Sequence, residues 1–220
     1  MEIYDIMKER HSVRQYASKP IEAEKRSEID AMASEINREK KLNVQIFYDE
    51  PKCFDSFMAH YGKFSGVENY IALIGKKSSE LDETMGYCGE MLVLKAQELG
   101  LNTCWVGLTH GKSKAVMQKD EKCFCIISLG YGKTGGVMHK SKPAEQVCNY
   151  SDTMPQWFKK GVEAALLAPT AVNQQKFFFE LLSDNTVRAV CGSGFYTKLD
   201  LGIVKYHFEL GAGKENFKWE

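Results

Sequence analysis

The chain has no surplus of charge: its 29 basic residues are matched by 29 acidic ones. A protein that grips nucleic acid or an anionic membrane ordinarily carries a basic excess or a basic block, so neither partner is expected. Long hydrophobic runs are missing too. Phe124–Leu129 is among the longest, far short of the roughly 20 apolar residues that cross a bilayer as a helix. No C-x-x-C pair occurs among Cys53, Cys88, Cys104, Cys123, Cys125, Cys148 and Cys191, which argues against a zinc ribbon or a redox dithiol. An odd, scattered set of thiols reads as small buried hydrophobes in a reducing, cytoplasmic compartment. His11, His60, His110, His139 and His207 form no ligand-spaced cluster, so no metal is expected. The start carries Glu2, Asp5, Lys8 and Glu9 in an amphipathic pattern, unlike a secretory leader.

What is present suffices for a folded core. The 220 residues are 44% hydrophobic, enough for one domain or two closely packed halves. Apolar spacing predicts helices over Ile3–Arg10, Glu22–Asn37, Gly86–Leu99, Trp157–Ala168 and Asp200–Leu210, with Gly100 and Gly211 as their stops. Strands are expected at Val44–Tyr48, Tyr70–Ile74, Cys123–Leu129 and Phe177–Leu182, and Gly132–Pro143 reads as an irregular connection. The order of elements then restarts. Gln97-Glu98-Leu99-Gly100 resembles Phe208-Glu209-Leu210-Gly211, and a helix-then-strand unit after Ile29 resembles one after Val162. Together they suggest an internal repeat with halves 1–135 and 136–220.

Four segments carry chemistry. Arg10-His11-Ser12-Val13-Arg14 offers two guanidiniums and a hydroxyl just after a helix, directed donors for a phosphate or an electron-rich ring edge. By itself it reads more readily as a solvated basic turn, since charge clusters are usually surface. In Ala168-Pro169-Thr170-Ala171-Val172-Asn173-Gln174-Gln175, proline ends a helix and polar side chains follow, either to wrap a cofactor edge or merely to connect helix and strand. Leu99–Leu108 places small residues where backbone can approach a planar ligand. Gly130-Tyr131-Gly132 is followed by Lys140-Ser141-Lys142-Pro143, whose lysines suit a phosphate.

In combination these segments resemble the FMN-dependent nitroreductase family. Arg10–Tyr16 looks like its R-x-S-x-R-x-[FY] signature, Leu99–Gly107 like its "LGLGTCWIGG" stretch, and Gly130-Tyr131-Gly132 like its "LGYP". One motif is displaced. The family's A-P-S-x-x-N-x-Q-P-W follows the first signature by about thirty residues, but here Ala31–Asn37 lacks the proline and glutamine, and the good match, Ala168–Gln175, lies in the second half with Gln175-Lys176 in place of Gln-Pro. In the family's homodimers the arginine signature and this loop come from different chains. Their single occurrence in opposite halves resembles an internally duplicated branch, a monomeric pseudo-dimer with one FMN site.

The resemblance implies an α+β fold, a nitroreductase-like α-β-α sandwich whose two halves each have a sheet flanked by helices. It implies that Arg10 and Ser12 hold the FMN phosphate and ribityl end with Lys140 and Lys142 adding charge, that His11 is also a cofactor-binding residue, and that Arg14 faces N1 and O2 of the ring. Val106, Gly107 and Leu108 would lie near N5, and Pro169, Thr170, Ala171 and Asn173 along the other side. The implied activity is ping-pong hydride transfer from NAD(P)H to a small oxidised acceptor such as a nitroaromatic or quinone. A specialised relative acting on one metabolite, and a flavin carrier or sensor with little turnover, are the alternatives. No protein acid–base dyad is required, since the cofactor carries the hard step.

Overall fold

In a computed structural model that describes residues 2–220, the apolar runs near the middle of the chain become neighbouring strands. The elements in chain order are α1 (Ile3–Glu9), α2 (Ala23–Lys40), β1 (Gln45–Phe47), α3 (Phe57–Tyr61), β2 (Asn69–Lys76), α4 (Leu81–Glu98), β3 (Asn102–Val106) and β4 (Glu121–Gly130). They continue with α5 (Gln156–Ala165), β5 (Phe177–Leu181), β6 (Thr186–Cys191), α6 (Thr197–Ala212) and β7 (Lys218–Trp219). The fold is mixed α+β, with sheets flanked by helices. Two compact units result: one from Glu9–Leu81 and Met91–Val137, the other from residues 2–8, Asp82–Glu90 and Met138–Glu220.

The first unit is built on an antiparallel sheet of order β1-β2-β4-β3. The central strands β2 and β4 are buried along most of their length, which explains why both read as nearly unbroken apolar runs rather than alternating ones. One face gathers Tyr70, Ala72, Ile74, Cys104, Val106 and Ile126 with Phe54 and Phe64 from the connection before β2. Phe47 of β1 stacks on Tyr70, ring centroids 4.8 Å apart. The Asn37 side chain brackets Val44, donating to its carbonyl at 2.8 Å and accepting from its amide at 2.7 Å. That bracket ties the end of α2 to the start of β1.

The second unit carries a smaller sheet, β5-β6-β7, in which β5 and β6 are antiparallel and β6 and β7 parallel. Helices α5 and α6 pack beside it around Phe158, Phe179 and Phe208, all fully buried. These phenylalanines are core, as their place on regular elements predicts. The first turns of α4 approach α6 backbone to backbone. A Cβ on Gly202 would stand 1.9 Å from the carbonyl oxygen of Glu83, and one on Gly86 would stand 2.0 Å from that of Leu199.

Several expected boundaries move. Within the segment 99–108, Asn102–Val106 is strand β3 at the sheet edge, an element the apolar spacing did not indicate. Helix α5 stops at Ala165, capped by Leu166, three residues short of the expected end, because the residue before a proline avoids helical backbone. Gly100, at φ +73, does follow a helix, but Gly211 lies inside α6 against Ala164 and the Lys160 carbonyl, and Gly213 ends that helix. The two matching tetrapeptides therefore do different work: one stops a helix, the other lets two helices touch.

The glycine contact gives a prediction whose sign is diagnostic. At an open helical position Gly→Ala would stabilise by up to about 1 kcal/mol. Gly202→Ala should instead destabilise by roughly 3 kcal/mol or more, since rigid backbone cannot yield to the added carbon. Urea unfolding of the two proteins measures the difference.

Candidate functional site

In the first unit, the Arg10–Arg14 signature leaves α1 and runs along the sheet as an extra edge. Val13 donates its amide to the Thr103 carbonyl at 3.0 Å, and Ser12 bridges Thr103 in parallel register. On its other side, Ser65 donates to the Arg14 carbonyl at 3.0 Å and Tyr16 donates to the Ser65 carbonyl at 2.9 Å. The Tyr16 ring is buried, and its hydroxyl meets both the Val13 carbonyl and Ser128 Oγ at 2.8 Å. With Val13 and Tyr16 fixed inward, Arg14 is exposed and Ser12 half-buried. The Arg14 guanidinium stands 6.0 Å from the centroid of Phe64.

Burial raises the pKa of the Cys104 thiol on the adjoining strand, opposed by the Arg14 charge, the Ser12 hydroxyl and the Arg10 charge. Arg10 itself is buried. The His11 ring has its pKa lowered, first by burial and then by the Arg10 charge. Tyr131–Gly136 runs alongside: Gly132 pairs with Tyr16, Lys133 donates its amide to the Gln15 carbonyl at 2.9 Å, and a Cβ on Gly136 would fall 2.7 Å from that of His11. Val106 is buried with its carbonyl accepting from the Cys125 thiol at 3.2 Å, whereas Leu108, two residues past the strand, is 71% exposed.

The second unit holds the other expected residues in one polar network. Pro169 lies between α5 and a tight loop in which Val172, Asn173 and Gln175 all have left-handed backbone, at φ +45, +55 and +45. Each such non-glycine residue costs on the order of 1–3 kcal/mol, so surrounding bonds must impose the shape. Thr170 Oγ1 accepts from the Gln175 amide at 3.0 Å. Asn173 Nδ2 donates to the Lys140 carbonyl at 2.9 Å, and its Oδ1 accepts from Gln175 Nε2 at 2.9 Å. Lys142 donates both its backbone amide, to Gln175 Oε1, and its Nζ, to the Gln175 carbonyl, each at 2.8 Å. The Lys142 amine thus supports the loop, while Lys140 serves through its carbonyl and leaves its side chain exposed.

One residue that sequence reasoning passed over organises this loop. Asp200, in the first turn of α6 and only 2% exposed, accepts from the Ala171 amide at 2.9 Å and from Gln174 Nε2 at 2.7 Å. Burial raises its pKa to about 6, against the pull of those two donors. The only sequence signal is an acid among apolar neighbours in Leu199-Asp200-Leu201. Among the described residues no group of three His, Cys, Asp or Glu side chains is placed to hold a metal, and no helix is long and apolar enough to cross a membrane.

The raised Asp200 pKa fixes a pH dependence. The unfolded carboxyl titrates near 3.8 and the folded one near 6, so between those values the native state holds the extra proton. Stability therefore falls as pH rises from about 4 to about 6, and is level above. The fall amounts to roughly 3 kcal/mol at most. Asp200→Asn should remove this falling limb, seen by subtracting the variant's urea-unfolding free energies from those of the parent across pH 4–7.5.

Residues 2–212 match the family model described as "Putative TM nitroreductase". Among solved structures, a "putative nitroreductase" of Thermotoga maritima superposes with a TM-score of 0.71 at 24% identity, covering 98% of this chain and 85% of that one. A "Putative NADH Oxidase" of Clostridium acetobutylicum gives 0.51 at 21% identity, over 65% of this chain and 97% of that one. A "Putative NADH dehydrogenase/NAD(P)H nitroreductase" of Bacteroides thetaiotaomicron gives 0.52 at 19%, over 69% and 98%. None of the curated proteins matches. At these identities the structures speak for the fold alone, whereas the family model spans nearly the whole sequence. The chain belongs to the nitroreductase family.

Proposed function

We propose that this protein is an FMN-dependent oxidoreductase that passes electrons from NAD(P)H to a small oxidised acceptor such as a nitroaromatic or quinone. The observation that carries the proposal is that Arg10, Ser12 and Arg14 lie on one extended edge, fixed to the sheet by the Val13–Thr103 hydrogen bond and the Ser12–Thr103 bridge. This donor set fits the flavin's chemistry. Guanidinium and hydroxyl groups satisfy a phosphate and ribityl chain, and a cation suits the electron-rich pyrimidine edge of the ring. Family membership and the names of the similar structures, which include NADH oxidase and NAD(P)H nitroreductase, support the same reading.

In this reading Arg10 and Ser12 bind the phosphate end with His11 beside them, and Arg14 supplies fixed positive charge where negative charge develops. A bound flavin supplies the two-electron chemistry itself. Val106, Gly107 and Leu108 bring backbone to the reacting edge, and the exposed Leu108 shields it from water. Pro169, Thr170, Ala171 and Asn173 form a second flavin-contacting segment. Lys140, with its free-standing side chain, remains a phosphate partner, whereas Lys142 acts chiefly through the loop. The protein works as a monomer binding one FMN, since the second half has no R-x-S-x-R of its own.

The test is optical. Purified protein mixed anaerobically with FMN and then NADH or NADPH should lose its visible flavin absorption rapidly, and binding should saturate at one FMN per chain. Persistent colour under both nicotinamides would instead indicate a carrier or sensor. Arg14→Ala should weaken FMN binding about tenfold or more, the loss expected for a charged hydrogen-bond donor. Arg14→Lys should recover little of it, because an ammonium lacks the planar fork. Unchanged affinity in Arg14→Ala would remove Arg14 from the site.

A further inference from the structure

The Thr170–Gln175 loop is held from two directions. Lys140, Lys142 and Thr170 secure its far end at Asn173 and Gln175. Asp200 alone grips both Ala171 and Gln174, the residues that bracket left-handed Val172 and Asn173. A β-branched valine strongly disfavours that backbone, so without the bracket it would relax toward extended geometry. The grip is itself rigid. The Asp200 amide donates to the Tyr196 carbonyl at 2.8 Å, and α6 is set by the Gly202–Glu83 contact. Gln174 Nε2 also donates to the Phe195 carbonyl at 3.0 Å, which fixes its amide with the nitrogen toward Asp200. Burying a carboxylate is costly, and a merely space-filling position would hold an uncharged residue. Two donors arriving on two oxygens need an acceptor at both, which asparagine cannot provide.

We propose that Asp200 is a positioning residue for flavin binding: by clamping Ala171 and Gln174 it imposes the loop conformation through which Thr170, Ala171 and Asn173 meet the flavin. This rests on the flavin reading above. Asp200 touches no cofactor; it acts through the backbone it holds. The residue type that looked like an unexplained acid in a buried helix is thereby demanded by the loop 25 to 30 positions earlier, an inference that neither the family motif nor its spacing contains.

The experiment compares the full-length parent with Asp200→Asn and Gln174→Ala at a temperature where all are folded. Hydrogen exchange of the flavin-free proteins reads the clamp; FMN titration, visible circular dichroism of the bound flavin and its midpoint potential read the consequence. Asp200→Asn should exchange the Ala171 amide at least tenfold faster, bind FMN at least tenfold more weakly, and alter the dichroism and potential of what remains bound. Gln174→Ala should move every reading the same way by less, and it decides the matter if Asp200→Asn does not fold. Faster exchange with parental affinity, spectrum and potential would reduce Asp200 to a structural residue and overturn the inference. A parent that binds no FMN would be seen before any variant is compared, and would overturn the flavin reading and this inference with it.

Discussion

The amide of Val13 on the carbonyl of Thr103 is the bond around which the candidate site is arranged. Once that pairing and the buried Tyr16 hydroxyl contacts are made, the alternation of extended backbone decides everything else in the signature. Val13 faces the core, where Cys104 also lies, while Ser12 is half-buried and Arg14 is exposed. A signature that would be a floppy basic turn in isolation becomes a rigid row of donors. Backbone pairing at Thr103 and Ser65 meets the cost of ordering the main chain of the signature before any ligand arrives.

The second unit solves a different problem with different means. Its loop is polar and strained, and side chains rather than strand pairing hold it. A buried carboxylate and a lysine amine hold its backbone, while the Asn173 and Gln175 side-chain amides bond to each other and Asn173 donates to the Lys140 carbonyl. Such a network is rigid only when fully satisfied, and every named member here finds a partner. Close helix contacts at Gly86 and Gly202 carry the anchoring residue. Packing of aromatic rings from Phe158, Phe179 and Phe208 then makes the platform heavy enough to bear the strain.

The long apolar strands and amphipathic helices were legible because burial on one or both faces leaves a period in the sequence. Strand β3 was not, since Asn102-Thr103-Cys104-Trp105-Val106 begins polar and takes its place only by pairing with β4. Strand β6, Thr186–Cys191, escaped for a similar reason: it is half exposed and carries Arg188. Sequence similarity between the halves also overstated their likeness at sheet level. One sheet has four antiparallel strands, and the other has three with a parallel pair. Lys142 looked like a phosphate ligand because charge alone is visible in a sequence, whereas the carbonyl it meets is not.

The sequence by itself determined the family, the longer helices and apolar strands, and the donors of the signature, because those depend on residue chemistry and short-range spacing. Tertiary structure decided that Arg14 is exposed and Arg10 buried, and, in the other unit, that Asn173 and Lys142 are bound into their own loop. It also revealed Asp200, whose partners lie 26 and 29 residues away. The physical reason is common to all of these. Burial, hydrogen-bond partnership and the electrostatics that follow from them are properties of neighbours in space, and a chain acquires such neighbours only when it folds.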